Sequence, residues 1–254
     1  MAAMRTATMA NDDIETESTE SADPLANRLL STLSRRDYEQ LLPDLEAVAL
    51  PLRMVLAEPG ADATHAYFPT SGMASMVNEM KDGTVEVGTV GNEGMIGTPI
   101  LLHSKSMTTR TFMQLAGGGH RIAAEPFRRM IRQSPEAERL FFRYAQTMFD
   151  QLAQWVACNR LHTLEARCAR WLLMTADRAG GDSFTLTHEF LSYMLGVHRP
   201  AVSLVASELS ERGLLRYRRG AVTIVDRAGL ESASCECYFI ARRSTEQLFA
   251  EIAG

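Results

Sequence analysis

In residues 186–226, LTHEFLSYMLGVHRPAVSLVASELSERGLLRYRRGAVTIVD, an apolar helical face stops at Gly196 and resumes beyond His198, Arg199 and Pro200. Thr187 stands as an N-cap for EFLSYML, its hydroxyl placed to accept from a first-turn N–H. Gly196 closes that helix, because glycine takes the left-handed conformation of a helix C-terminus without a Cβ penalty. AVSLVASELSERG forms the next helix. Pro200 starts it rather than breaks it: a first-turn N–H has no helical acceptor, and the ring's fixed φ suits the start. Two short helices across a tight Gly-containing turn make a helix-turn-helix unit. LLRYRR and AVTIVD then read as two strands about Gly220, which is a wing. Helix, turn, helix and wing together are a DNA-binding arrangement.

Upstream of this unit the periodicity is helical back to Glu125. EPFRRMIRQSP is a short amphipathic helix, and Pro135 marks a fresh start. From Glu136 to Ala179 there is no Gly or Pro; at about 1.5 Å per residue, some 40 helical residues would extend roughly 60 Å. Such a helix needs a partner along its length. Its apolar residues Phe141, Tyr144, Met148, Leu152, Trp155 and Val156 recur at spacings of three and four, which fits either an ordinary core helix or a seam between two subunits. A bend near Asn159 to His162, with LHTLEARCARWLLM as a second helix, is equally compatible with the pattern.

The first half of the chain is different. After a short helical stretch, PLANRLLSTLSRR (24–36), come short β-type runs separated by turn residues as far as Ala124. Lys81-Asp82-Gly83 between SMVNEM and TVEVGTV is a hairpin signal, since Asp-Gly readily supplies positive φ angles. Repeated short strands of this kind predict a compact antiparallel sandwich or roll. VGTVGNEGMIGT, with Gly88, Gly91, Gly94 and Gly97, is neither GxGxxG nor a Walker A loop; glycines at roll corners account for it.

Composition narrows the class further. The 254 residues, 46% hydrophobic, suffice for a core in each of two domains. No apolar run approaches the roughly 20 residues that a membrane span needs. Residues 1–23 carry no apolar signal segment and read as a disordered acidic leader. The four cysteines, 158, 168, 235 and 237, do not form a secreted disulfide framework, so a reducing cytoplasm is expected. The net charge of −5 is unevenly placed, with arginines predominating from Arg110 to Arg227. An acidic chain of this kind can still carry a basic DNA face.

LTHEFLSYMLGVHRPAVSLVASELSERGLLRYRRGAVTIVDRAGLE resembles the winged helix of the Crp/Fnr family of bacterial transcription regulators, and the preceding roll and long helix match that family's order from about Pro24 to Glu231. The resemblance implies an α+β fold: an N-terminal antiparallel, jelly-roll-like β-roll, a long dimerisation helix and a C-terminal winged helix-turn-helix. The corresponding boundaries are a leader at 1–23, a cyclic-nucleotide-binding-like sensor roll at 24–134, the dimerisation helix and hinge at 135–180, the DNA-binding domain at 181–232 and a tail at 233–254. It further implies a homodimer, a palindromic double-stranded DNA operator and RNA polymerase as a partner, with no membrane association.

Carried over by position, Arg199 matches the family's base-contacting arginine, a residue that can offer a bidentate fork to guanine. Thr187 and His188 match positions that hold phosphate at a helix N-terminus. His198 and Ser203 are additional contact candidates, although His198 reads equally as an exposed helix-start residue. Arg218 and Arg219, with Arg216, either approach phosphate or form a solvated hairpin. Pro200 and Leu204 replace base-reading residues of the best-known member, so its operator does not transfer.

In the roll, Arg110-Thr111 resembles the family's phosphate-holding pair, and Gly97-Thr98 matches a glycine and ribose-binding glutamate whose carboxylate is missing here. Leu152 and Ala153 replace the adenine contacts. A small-molecule effector with a phosphate-like group fits these residues, whereas cyclic AMP is not supported. Arg110 has the alternative reading of a strand arginine paired with a carboxylate.

No cofactor or metal site is expected. No cysteine precedes Cys158, which disfavours an iron–sulfur sensor, His65, His103 and His120 are lone histidines, and Cys235-x-Cys237 is too short a set for a closed zinc site. A redox or dimer-contact role for that pair stands beside a tail packed on the winged helix. No catalytic motif is found, so the chain is not read as an enzyme. The alternative to a DNA-reading regulator is a ligand-binding or protein-interaction module of the same architecture that does not read DNA specifically.

Overall fold

The β-type runs of the first half pair into two antiparallel sheets that face each other as a roll. A computed structural model describes residues 23–218 and 220–253; the leader reading over residues 1–22 and the contact assigned to Arg219 lie outside the described residues. Two short helices, α1 (Arg28–Thr32) and α2 (Arg35–Leu41), precede the strands β1 (Glu46–Leu50), β2 (Val55–Ala57), β3 (His65–Pro69), β4 (Met73–Met80) and β5 (Gly83–Val90). After α3 (Thr98–Leu101) come β6 (Arg110–Leu115) and β7 (Gly117–Ala123). One sheet has the order β1-β7-β3 and the other β2-β6-β4-β5. The expected hairpin is present, Met80 pairing with Gly83 across Lys81 and Asp82.

The helical half comprises α4 (Ala124–Gln133), α5 (Pro135–Leu161), α6 (Leu164–Ala179), α7 (His188–Leu195), α8 (Arg199–Glu211), α9 (Arg227–Ala233) and α10 (Cys237–Ala253). A third antiparallel sheet, β8 (Ser183–Thr185), β10 (Ala221–Ile224) and β9 (Leu215–Arg218) in that order, forms the wing. The unbroken apolar periodicity from Glu136 to Ala179 thus conceals two helices. The chain leaves the helical conformation at His162 and restarts where the Thr163 hydroxyl accepts from the Ala166 N–H, an N-cap that satisfies an otherwise free donor. Helix α5 has 27 residues, about 40 Å at the α-helical rise.

Helix α5 divides its surface among three environments. Phe141 and Tyr144 enter the roll core, where Phe68, Phe127 and Phe141 meet edge to face at centroid distances of 4.9 to 6.2 Å. The Tyr144 hydroxyl also donates to the Met95 carbonyl at 2.8 Å and accepts from its N–H at 2.9 Å. Trp155 and Cys158 enter a second core built from α6, α7, α8 and the wing. The apolar series, compatible in sequence with a core face or a subunit seam, is therefore largely consumed within the chain. Val156, from that series, faces outward instead with Phe142 and Phe149, at 72%, 40% and 66% exposure. The difference arises because periodicity shows an apolar face but not what covers it.

Helix α9 packs against α6 at the end of the expected DNA-binding domain, and the expected tail, 233–254, joins the winged-helix core through Cys235, Cys237, Tyr238 and Ala241 before α10 runs back along α5 to the roll. Leu248 is buried in the roll core. Glu246 accepts from Arg28 at 2.8 and 3.1 Å, and the Arg28 guanidinium lies 4.1 Å from the Phe249 ring centroid.

The helix-turn-helix unit also docks on the roll. Helix α7 lies against β5, Phe190 meets Phe112 edge to face at 6.5 Å, and α6 reaches the same sheet through two carboxylates. Arg178 donates to Glu93 at 2.7 and 3.0 Å; burial opposes ionisation of Glu93, but the guanidinium holds its carboxyl below the usual range. Glu86 accepts from Ser75 at 2.6 Å and from the Trp171 indole N–H at 2.9 Å. It has no such ion pair, and burial pushes its carboxyl up from 4.5 to about 7.

A folded-state value above the unfolded one means that the folded protein holds a proton the unfolded chain has already released. Stability then falls as pH rises from 4.5 to about 7 and levels off above. The loss is at most about 3 kcal/mol. Glu86→Gln should remove this slope: in urea denaturation at pH 5 and pH 8, the wild type should lose stability relative to the variant as pH rises.

Candidate nucleic-acid interface

The exposed face of the helix-turn-helix unit follows from its caps. Thr187 accepts from the Phe190 N–H at 3.1 Å, as its position predicts. Gly196 adopts φ 63° and ends α7, with its N–H directed to the carbonyls of Ser192 and Tyr193. A Cβ at Gly196 would come within 3.1 Å of Val85 on β5, so the tight turn and the docking on the roll demand the same residue. His198 is the N-cap residue of α8, and Pro200 lies in its first turn, where no acceptor is lost. Val202, Val205, Ala206 and Leu209 bury the inner face.

The outer face of α8 presents Arg199, Pro200, Leu204, Ser207, Glu208 and Glu211. Among the described residues no carboxylate pairs with Arg199, whereas Arg178, Arg212 and Arg227 are all in ion pairs. Charge is polarised along the helix, the cation in the first turn and two carboxylates in the last. A polyanion is therefore favoured at the N-terminal end, where free N–H groups and the helix dipole add to Arg199. Arg216 and Arg218 are exposed on alternate positions of β9, while Leu215 and Tyr217 turn inward.

Two of the contact candidates are engaged with each other. His188 Nδ1 lies 3.0 Å from the Ser203 hydroxyl, and its ring meets Tyr217 edge to face at 4.8 Å. The trio joins the start of α7, the middle of α8 and the wing. Burial first, and then the nearby Arg199 cation, hold His188 below its ordinary pKa. With Nδ1 beside the Ser203 hydroxyl, Nε2 has no hydrogen-bond partner among the described residues. Leu204 is 62% exposed on the same face, an apolar group suited to a thymine methyl or to a protein surface.

The candidate effector residues lie on α3 and its lead-in turn and on β6. Gly97 (φ 109°) precedes α3, where a Cβ would strike the His65 carbonyl at 2.9 Å, and the Thr98 hydroxyl faces the Met107 sulfur at 3.8 Å. Gly97 lines a groove with Glu58, His65, Tyr67 and Met107. Arg110 is held between Glu58 at 3.4 Å and Glu79 at 3.2 Å, the carboxylate-paired arrangement that the sequence left open. The Thr111 side chain is fully buried.

Cys235-x-Cys237 does not stand alone. Cys158 and His162, one helical turn apart at the end of α5, meet the pair, so the set has four donors rather than two. Sequence spacing hid this because 75 residues or more separate His162 from Cys237 and Cys158 from Cys235.

A β-roll, a long helix and a winged helix-turn-helix thus follow one another along the chain. Residues 166–233 match the family model of the Crp-like helix-turn-helix domain. No curated protein matches the chain. Among solved structures the chain is similar to a protein from Eubacterium rectale described as a transcriptional regulator of the Crp/Fnr family, with a TM-score of 0.66, 18% identity, and coverage of 82% of this chain and 98% of that one. It is also similar to FixK2 from Bradyrhizobium japonicum (TM-score 0.65, 14% identity, 75% and 98% covered). A third is a CRP-family regulator from Thermus thermophilus (TM-score 0.62, 20% identity, 74% and 96% covered). The Crp/Fnr resemblance therefore holds in fold along the chain and in sequence over the helix-turn-helix domain.

Gly196→Ala tests the shared demand at the turn. A non-glycine residue in the left-handed region costs roughly 1–2 kcal/mol, and the Cβ contact with Val85 adds to it. The variant should lose about that much stability in urea denaturation, and Val85→Ala should restore part of it.

Proposed function

We propose that this chain is a dimeric, sequence-specific DNA-binding transcription regulator of Crp/Fnr type, working in the bacterial cytoplasm. The observation that carries the reading is Arg199: exposed, without a carboxylate partner among the described residues, and in the first turn of a helix whose acids lie at its far end. In the major groove such an arginine donates to guanine O6 and N7. Thr187, His188 through Nε2, Arg216 and Arg218 take the flanking phosphates. Ser203 orients His188 and is not itself a reader. RNA polymerase is the partner through which the bound regulator would act.

The outward stripe of α5 supports a homodimer. Phe142, Phe149 and Val156 are spaced by seven, the period that keeps one seam facing a second helix. The roll serves as the sensor, and its groove beside Gly97 takes a small molecule other than cyclic AMP, since Thr98 offers no ribose carboxylate and Arg110 is already neutralised by Glu58 and Glu79. No helix among the described residues is long and apolar enough to cross a membrane.

The reading is tested by selecting duplexes from a random-sequence DNA library and comparing variants on the winning site. Arg199→Ala should lose about 1–3 kcal/mol of discrimination at one guanine per half-site while keeping its far-UV circular dichroism. Unchanged discrimination would exclude Arg199 as the reader, and failure of the wild type to enrich any sequence would favour an interaction module. Phe149→Glu should convert the dimer to a monomer in sedimentation analysis. Saturating cyclic AMP should leave the melting temperature where it is; a rise of several degrees would contradict the account of the roll.

A further inference from the structure

The C-terminal end of α5 and the junction of α9 with α10 bring four metal-ligating side chains to one point. Cys158, Cys235 and Cys237 are buried, His162 is partly so, and their sulfur and ring-nitrogen donors all lie within 4.8 Å of one another. The Cys158 and Cys235 sulfurs are 3.6 Å apart, and Cys237 Sγ is 3.5 Å from His162 Nδ1. A tetrahedral zinc ion with Zn–S bonds of about 2.3 Å places two thiolates about 3.8 Å apart, and a thiolate and an imidazole nitrogen slightly closer. The observed separations are near those edges. A cluster of several iron atoms spreads its thiolates farther than this group allows.

The surroundings carry two further marks of a metal centre. Glu236, between the two cysteines of the loop, lies 3.2 Å from His162 Nε2. A carboxylate on one imidazole nitrogen aims the other at a metal and fixes its tautomer. Beyond the sulfurs stand Arg167 and Arg170, 9% and 7% exposed, each with an Nε that has no hydrogen-bond partner. Among the described residues neither forms an ion pair, Arg167 donates to the Leu195 carbonyl, and Arg170 lies 4.0 Å from the Trp155 ring centroid. Both guanidiniums are within Coulombic reach of the thiols, and Arg170 also of Glu86. Buried cations call for compensating charge. Three thiolates and a neutral imidazole around Zn²⁺ carry one net negative charge, which offsets one of the two cations.

We propose that Cys158, His162, Cys235 and Cys237 form a closed site for a single zinc ion. Binding displaces the three thiol protons to solvent and leaves no open coordination position. The ion would staple the end of α5, immediately before the break at His162, to the segment from which α10 departs. It would thereby fix the hinge between the long helix and the winged-helix unit, whatever DNA that unit reads.

The full chain, reduced and purified without chelator, should retain about one zinc per chain through gel filtration. Cobalt added to the reduced, metal-stripped chain should give the intense visible d–d bands and sulfur charge-transfer absorption of a tetrahedral thiolate site. Cys158→Ser and Cys237→Ser should lose the zinc, and Cys168→Ser, whose thiol is buried apart from this group, should keep it. If the first two variants fail to fold, the wild-type cobalt spectrum decides. Absence of both zinc and the cobalt bands in folded wild-type protein would overturn the proposal, as would an iron–sulfur chromophore or retained copper in place of zinc.

Discussion

Helix α5 must satisfy three environments at once, and the rest of the molecule is arranged around that constraint. Its first turns fill the roll with Phe141 and Tyr144, and its last turns fill the winged-helix core with Trp155 and Cys158. The remaining face, Phe142, Phe149 and Val156, is left to solvent or to a second subunit. One helix thus enters both cores, with no linker between them along its length. The helix breaks at His162, where α6 restarts on its Thr163 cap.

The roll and the winged-helix unit meet through polar groups set into an apolar contact. Arg178 and Glu93 form a paired, hydrogen-bonded charge, which is expensive to separate once desolvated. Glu86 is held instead by neutral donors, Ser75 and Trp171, and burial pushes it toward the protonated form. Gly196 contributes shape, since the residue that turns α7 into α8 also touches Val85. The turn that seats Gly196 against Val85 lies three residues before Arg199, so the docking contact adjoins the start of α8.

The parts legible in the sequence are those governed by local chemistry. Thr187, Gly196 and Pro200 each act within a turn, so the helix-turn-helix could be read residue by residue, and the hairpin at Lys81 and Asp82 likewise. The break at His162 stayed open because apolar spacing continues through it; the Thr163 cap was the available signal. Which stripe of α5 faces outward was not legible, because Phe141 and Phe142 are equally apolar and only the roll decides between them. Helix α10 was read as a tail for the same reason: Leu248 and Phe249 look ordinary until the roll core is there to receive them. The group around Cys158, His162, Cys235 and Cys237 depends on a chain reversal that no spacing rule contains.

A hydroxyl-radical footprint of the wild-type protein on a duplex it has selected tests the central claim most directly. Two α8 helices related by a dyad should protect two backbone stretches centred about one helical turn, roughly 34 Å or 10 base pairs, apart. The protections should be symmetric about the palindrome's centre. A single protected stretch, or uniform weak protection without a dyad, would contradict a dimer that reads DNA through the first turn of α8.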